Sequence, residues 1–392
     1  MKPAVSTVVI VAATFGWLAA LFALEPFDHA NAGLDRAFGA LPAWTQVENM
    51  YRDPTIQEVS RGDHPLESFR ILEETWAAHP GARRIILMGN SQTQSTSLSP
   101  GEPPPSEPEK TYTDLIADRY RESGSHKVFY RLAAGALSYQ EMLWYATWLV
   151  RKPEIKPDVL LVQLNYQNFA NGGIRAGMLE MLSDAPFRQA VELLARSNRP
   201  DSDAFAEALH RDQASQHGRD AKGPDAPAPG TPPGDRLETA FRTELAGLPG
   251  FDRRDELKRS FTYMLLRCRT YVLHLNSASR RSLGGTLIAQ SRAALEDLLD
   301  LCSRSGIRVV LFQAPTNPLV PLYKTAEDDR SYHAYTASVA QRFGVTTLDF
   351  EHSIPAAYWG RELNVPDPLH LGREGHRLLA RLILTGLEQN GL

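Results

Sequence analysis

The sequence predicts an α/β domain built on a three-layer, doubly wound parallel sheet, preceded by a transmembrane helix and interrupted by a largely helical insertion. Three observations predict it. Short, nearly unbroken apolar runs recur between residues 84 and 350. Stretches with helical periodicity separate those runs. A 21-residue apolar run without a charge stands near the start, at 4–24. Strands buried on both faces read as continuous apolar runs, and their alternation with helices is the pattern of a parallel sheet covered on two sides.

Residues 4–24 (AVSTVVIVAATFGWLAALFAL) come first. At 1.5 Å rise per residue, roughly 20 apolar residues span the hydrocarbon layer of a bilayer. Lys2 and the α-amino group precede the run, while Glu25, Asp28 and Asp35 follow it. The positive end stays inside, so this pattern predicts one anchor in the cytoplasmic membrane and a domain on its outer, periplasmic or extracellular side. The competing reading is a cleaved leader with its small-x-small site at Ala30-Asn31-Ala32. That site lies beyond the apolar run, and the run is long for a leader. Either reading exports the functional domain.

Residues 25–80 carry scattered apolar positions and read as a juxtamembrane segment entering a helix near 66–78; the catalytic domain is expected from 81 to 392. Residues 84–88 (RIILM), ending at Gly89, read as a buried strand. Five prolines within 99–108 make that stretch a loop. A second strand is expected at 127–132 and an amphipathic helix at 140–150. The run 158–164 (DVLLVQL) is the strongest strand signal, with further strands at 308–313 (RVVLFQ) and 346–350 (TTLDF). In 286–302, Leu287, Ile288, Leu295, Leu298, Leu299 and Cys302 fall near a 3.6-residue period, as do Leu378, Leu379, Leu382 and Ile383 in a final helix. Between the third and fourth strands lies an insertion, about 170–285. Within it, eight of the fourteen residues of 221–234 are Pro or Gly, the composition of a disordered surface loop. An insertion at this edge suits a lid or an acceptor platform, or is decoration without a role. Met178, Met181 and Leu182 within it read as helix packing.

Composition narrows the function. The chain has 392 residues, 43% apolar and 22% charged, enough for a sizeable core. With 42 basic and 46 acidic residues the net charge is −4, so there is no global basic field for nucleic acid. Two cysteines, Cys268 and Cys302, rule out a disulfide-stapled scaffold and a four-thiolate zinc site. Whether they pair is left open.

Two blocks carry chemistry. Met88-Gly89-Asn90-Ser91-Gln92-Thr93 places the Ser91 hydroxyl at a strand's carboxyl end, on a turn toward a helix. Such a serine becomes a nucleophile when a base lies beside it; read alone, Gly-Asn-Ser is also plain turn chemistry. Asp367-Pro368-Leu369-His370 is expected in a loop just before the final helix. An Asp three residues before a His can reach the imidazole's far nitrogen and fix its tautomer, leaving the near nitrogen to take a proton from Ser91. Taken singly, an Asp–His pair is also a structural hydrogen bond. His352, His370, His376 and Asp367 match no zinc spacing, so no metal and no cofactor are expected; His376 is expected to pack or cap at the start of the last helix.

In this order and placement, the blocks resemble the SGNH (GDSL-like) hydrolase superfamily over about 82–390, insertion excluded. The family's Gly-Asp-Ser-x-(Ser/Thr) stands here as Gly89-Asn90-Ser91-Gln92-Thr93, and its Asp-x-x-His as Asp367 and His370, continuing to His376. The resemblance implies a flavodoxin-like winding, a Ser91–His370–Asp367 triad and an oxyanion hole made by the serine N–H, a glycine and an asparagine. Gly135, in Ala133-Ala134-Gly135-Ala136, fits the glycine. The family's Gly-x-Asn-Asp is replaced by Asn165-Tyr166-Gln167-Asn168: ungapped alignment puts Gln167 on the asparagine, with Asn165 and Asn168 as the other amide candidates.

Serine-dependent acyl-ester chemistry through an acyl-serine is therefore expected. An N-terminal anchor, an Asn in the first block and a large insertion resemble the periplasmic proteins of polysaccharide O-acetylation and teichoic acid D-alanylation, which work beside a membrane-bound O-acyltransferase. That resemblance implies O-acyl transfer or removal on a cell-envelope glycan. The alternatives are an esterase or lipase on small or lipid esters, and a non-catalytic envelope module for binding or assembly.

Overall fold

The five apolar runs lie side by side as one parallel sheet. Its strands are β1 (Arg83–Gly89), β2 (Lys127–Ala133), β3 (Val159–Leu164), β4 (Arg308–Gln313) and β5 (Thr346–Asp349), in the order β2-β1-β3-β4-β5. Every pairing is parallel. The chain steps from β1 out to β2, then returns past β1 to β3. The winding therefore reverses between β1 and β3, and in such sheets the crevice beyond the carboxyl ends at that reversal is where ligands bind.

The computed structural model describes residues 65–94, 110–221, 285–320, 324–362 and 365–392, with isolated positions elsewhere. The chain splits into two compact units, Trp44–Ala221 with Ala278–Leu392, and Met1–Ala43 with Lys222–Ser277. The second unit falls almost wholly outside the described residues. The apolar run 4–24, the proline-rich 99–108 and nearly all of 221–234 lie outside them as well. Among the described residues, no helix is long and apolar enough to cross a membrane.

Helices cover both faces. They are α1 (Pro65–Ala77), α2 (Tyr112–Glu122), α3 (Tyr139–Arg151), α4 (Ala185–Ala195), α5 (Ser202–Ala221), α6 (Gly285–Arg304), α7 (Ala326–Phe343) and α8 (Arg373–Gln389). Alternation along the strands feeds two cores. Ile86, Met88, Leu160, Val162, Val309 and Leu311 pack with α1, α3 and α6. Ile85, Leu87, Val159, Leu161, Val310 and Phe312 pack with α2 and α8. Each such side chain, taken out of water, contributes roughly 1.5–3 kcal/mol. β1, β3 and β4 read as nearly unbroken apolar runs because both of their faces are covered, whereas the edge strand β5 alternates half-buried and exposed residues.

Two expectations need correction. The folded unit does not begin at 81: Phe69, Leu72 and Trp76 of α1 are buried in the first core, so the juxtamembrane reading of 25–80 fails at its end. Nor does the Asp367–His370 block sit in a loop. It lies on β7 (Val365–Leu371), paired antiparallel with β6 (Trp359–Glu362) as a two-stranded ribbon. Pro366 and Pro368 argue against a strand by their missing donors, but a two-stranded ribbon has an outer edge where no donor is needed. The described part of the insertion is helical, with 3₁₀ turns at Tyr166–Ala170 and Ala176–Ser183 before α4 and α5. Met178, Met181 and Leu182 are buried there, Met181 Sδ accepting from Trp144 Nε1.

Candidate active site

β1 ends at Gly89, and the chain turns at once into a 3₁₀ turn, Ser91–Thr93, capped by Asn90. The Asn90 side chain accepts from Gln92 N–H at 3.0 Å. Gly89 is required by close approach: a Cβ there would meet Thr93 Cγ2 at 2.3 Å and Gln163 Oε1 at 2.7 Å. The turn is pinned beneath by Arg131 of β2, which donates to Thr93 O at 3.1 Å, to Thr113 Oγ1 at 2.8 Å and to Asp114 Oδ1 at 3.3 Å. Arg131 and Asp114 are both fully buried, and a buried ion pair is costly to break from one side because the survivor is left uncompensated.

Across the crevice, β7 presents His370. Its Nε2 lies 3.1 Å from Ser91 Oγ, and its Nδ1 lies 2.9 Å from Asp367 Oδ2. Asp367 Oδ1 accepts from the backbone N–H of Leu369 at 2.8 Å and of His370 at 2.9 Å. Asn317, past β4, donates to the Asp367 carbonyl at 2.7 Å. Burial alone would raise the Asp367 carboxyl. The His370 charge and the hydrogen bonds from His370 and Leu369 outweigh it and hold the group below the ordinary carboxylate value. A carboxylate in that state requires a proton on His370 Nδ1, which leaves Nε2 as the acceptor facing Ser91.

The other predicted residues divide. Asn168 is fully buried, and its Oδ1 accepts from Nδ2 of Asn90, the residue before Ser91, at 2.9 Å. Asn165 caps the 3₁₀ turn after β3, its Oδ1 accepting from Gln167 N–H at 2.9 Å. Gln167 is half-buried on that turn, so the residue that ungapped alignment selects is not the one tied to the serine turn. Gly135 follows β2 in the turn Ala134–Leu137, closed by Leu137 N–H to Ala134 O at 3.1 Å. That turn is stitched to the serine segment by Ala134 N–H to Gly89 O at 3.3 Å and by Gln94 Nε2 to Ala133 O at 2.6 Å. Its second central residue, Ala136, has φ 57°, a left-handed conformation that costs a side-chain-bearing residue about 1 kcal/mol. The Gly135 carbonyl is held by Arg175 Nη2 at 3.3 Å, and Arg175 is gripped by Glu141 through Nε and Nη2, both at 2.7 Å.

The remaining histidines stand apart. His376, in the first turn of α8, is fully buried; its Nδ1 accepts from Tyr112 N–H at 3.1 Å and its ring stacks on Tyr112. His352 is exposed after β5. Among the described residues, Asp329, His333 and Glu351 lie close enough together to hold a metal ion, but the buried Lys324 ammonium already sits between the two carboxylates. The two cysteines are free, and burial pushes the Cys302 thiol up to about 12.

Sequence reasoning missed three amides. Gln92, Gln163 and Asn317 are buried and bonded into the site. The signal for Gln163 was its presence in an otherwise apolar strand, since a buried amide must find partners. Beside the site, a cleft of about 780 Å³ is walled by Ala136, Asn171, Arg175, Asp203, Glu207 and Arg211, among others. Three of those six belong to the insertion helix α5.

No protein-family model matches the chain, and no curated protein matches it. Solved structures that the chain is similar to include a GDSL-like lipase from Bacteroides thetaiotaomicron, 9% identical with TM-score 0.35, covering 82% of this chain and 98% of that one. An acetylxylan esterase from Geobacillus stearothermophilus is 10% identical with TM-score 0.36, covering 79% and 96%. The psychrotrophic esterase EstA from a Pseudoalteromonas species is 9% identical with TM-score 0.36, covering 78% and 97%.

Proposed function

We propose that the chain is a serine-dependent acyl-ester enzyme, with Ser91 as nucleophile, His370 as general base and acid, and Asp367 as the carboxylate that orients and charges the imidazole. The unbroken chain Ser91 Oγ–His370 Nε2–His370 Nδ1–Asp367 Oδ2 carries this reading. His370 Nε2 takes the Ser91 proton as Oγ attacks the ester carbonyl carbon. The tetrahedral oxyanion is met by the Ser91 and Gly135 N–H groups and by Asn168 Nδ2. His370 then gives its proton to the departing alkoxide, leaving an acyl-serine and a free alcohol. An incoming hydroxyl, deprotonated by His370, attacks the acyl-serine and regenerates Ser91.

The incoming hydroxyl decides between hydrolysis and transfer. We favour a cell-envelope glycan as acyl donor or acceptor, by the resemblance stated above. The cleft supports it: its size fits a ligand of several rings, and its charges nearly balance, which suits a neutral polyhydroxylated ligand better than an ion or a lipid chain. In the same reading the apolar run 4–24 anchors the protein in the cytoplasmic membrane, with the domain outside and a membrane-bound O-acyltransferase as partner. The test is rapid-quench intact mass after mixing with an acetyl ester, with and without a neutral oligosaccharide. A +42 Da acyl-enzyme that decays faster with the oligosaccharide and yields its acetate ester supports transfer. Decay at one rate supports hydrolysis, and no adduct with no turnover overturns the enzyme reading.

A further inference from the structure

We propose that Gln92 and Gln163 are positioning residues that set the distance between the nucleophile and its base, acting as a polarised amide relay. The proposal rests on the acyl-ester reading of Ser91. Asn90 N–H donates to Gln163 Oε1 at 2.8 Å. Gln163 Nε2 donates to Gln92 Oε1 at 2.8 Å. Gln92 Nε2 donates to the carbonyls of Leu369 at 2.8 Å and Pro315 at 3.1 Å. The relay thus begins one residue before Ser91 and ends one residue before His370, crossing the carboxyl ends of β3 and β4. Both glutamines are fully buried.

Its polarity is forced from both ends. A backbone N–H can only donate, so Gln163 must turn Oε1 to Asn90 and Nε2 to Gln92. Backbone carbonyls can only accept, so Gln92 must turn Nε2 to Leu369 and Pro315 and offer Oε1 to Gln163. The two requirements meet in the middle with a matched donor and acceptor. No water-exposed alternative is open to either amide, and unpaired buried amides are strongly disfavoured. Gly89 makes room for the relay, because a side chain there would collide with Gln163 Oε1. Neither glutamine touches the reacting atoms; they act through the serine turn and strand β7, which they join.

The experiment is Gln163→Glu in the full chain, beside Gln163→Leu. A neutral carboxylic acid reproduces the amide pattern, one oxygen accepting from Asn90 and the hydroxyl donating to Gln92. A carboxylate cannot donate, and it leaves Gln92 Oε1 facing another acceptor. Burial raises the pKa of such an acid, so it takes up its proton on mild acidification. Expected for Gln163→Glu is a kcat lowered roughly 10- to 100-fold at pH 8 with KM within about two-fold, as a displacement near 1 Å does. The ratio of its kcat to that of the parent then rises as the pH falls, while the ratio for Gln163→Leu stays low and flat. A ratio for Gln163→Glu that is independent of pH, or a kcat within two-fold of the parent, overturns the proposal. Crystal structures of Gln92→Met and the parent read the same claim without activity. Separation of Ser91 Oγ from His370 Nε2 beyond hydrogen-bonding range in the variant is expected, and an unchanged 3.1 Å contact overturns the relay. An inactive parent with a lengthened contact in Gln92→Met defeats the acyl-ester reading and leaves the relay standing.

Discussion

Asn90 Nδ2 donates to Asn168 Oδ1 at 2.9 Å, and this bond dictates which way the Asn168 amide faces. Asn90 Oδ1 is held by the Gln92 N–H, so its Nδ2 must point to Asn168, and Asn168 must answer with its oxygen. Asn168 Nδ2 is thereby turned away, with only a 3.5 Å approach to the Gln163 carbonyl. An aspartate at 90 would accept instead of donate and would draw Asn168 Nδ2 to itself. Asn90→Asp is therefore expected to lower kcat by roughly 10²–10³, the loss of one oxyanion donor, with KM little changed. Asn168→Ala should match it, and the double variant should be no worse than either single one. Steady-state kinetics on the three variants check this.

The depressed Asp367 carboxyl has a stability consequence of definite sign. Its folded pKa lies below the unfolded value of about 3.9, so its contribution is fully present above that value and is lost as the pH falls through the lower, folded one. Asp367→Asn should flatten the acid limb of a urea-midpoint profile below about pH 4 and lower kcat by roughly 10⁴ through the wrong histidine tautomer.

Asp297 behaves oppositely. Burial is the largest influence on it; Arg199 opposes, and the nearby Asp201, Asp300 and Glu296 add to the burial effect, so its carboxyl is pushed up to about 6. The folded protein binds that proton more tightly than the unfolded chain. Its contribution is therefore fully present below about pH 4 and is lost as the pH rises through about 6. Asp297→Asn should remove that slope between pH 4 and 6 and raise the thermal midpoint at pH 7 relative to the parent. Calorimetry at the two pH values checks both.

Gly89→Ala should destabilise by about 1–3 kcal/mol, the usual range for overpacking, because the new methyl meets Thr93 Cγ2 and Gln163 Oε1 inside contact distance. Equilibrium urea unfolding measures it.

Much of this was legible in the sequence. The five strands ended within one residue of the ranges read from the sequence; for β1, β3 and β4 that is because burial on both faces forces continuous apolarity, while the edge strand β5 alternates half-buried and exposed residues. Ser91, Asp367 and His370 were selectable because the end of a strand and the entry to the final helix limit where side chains can meet. The choice among Asn165, Gln167 and Asn168 was not legible: a 3₁₀ turn after β3, not an ungapped count, decides which amide faces Asn90. The β6–β7 ribbon was hidden by Pro366 and Pro368, whose missing donors matter only in an interior strand. Gln92 and Gln163 were visible as residues but not as a pair, because 71 positions separate them. The role of α1 depended on packing against a sheet it precedes.

The most direct test of the central claim is intact-mass analysis of the full-length chain after incubation with a fluorophosphonate, with Ser91→Ala, His370→Ala and Asp367→Asn alongside. The account predicts one adduct on Ser91 in the parent, none in Ser91→Ala, and labelling slowed by orders of magnitude in the other two. A folded parent that remains unlabelled, or labelling that persists in Ser91→Ala, would contradict it.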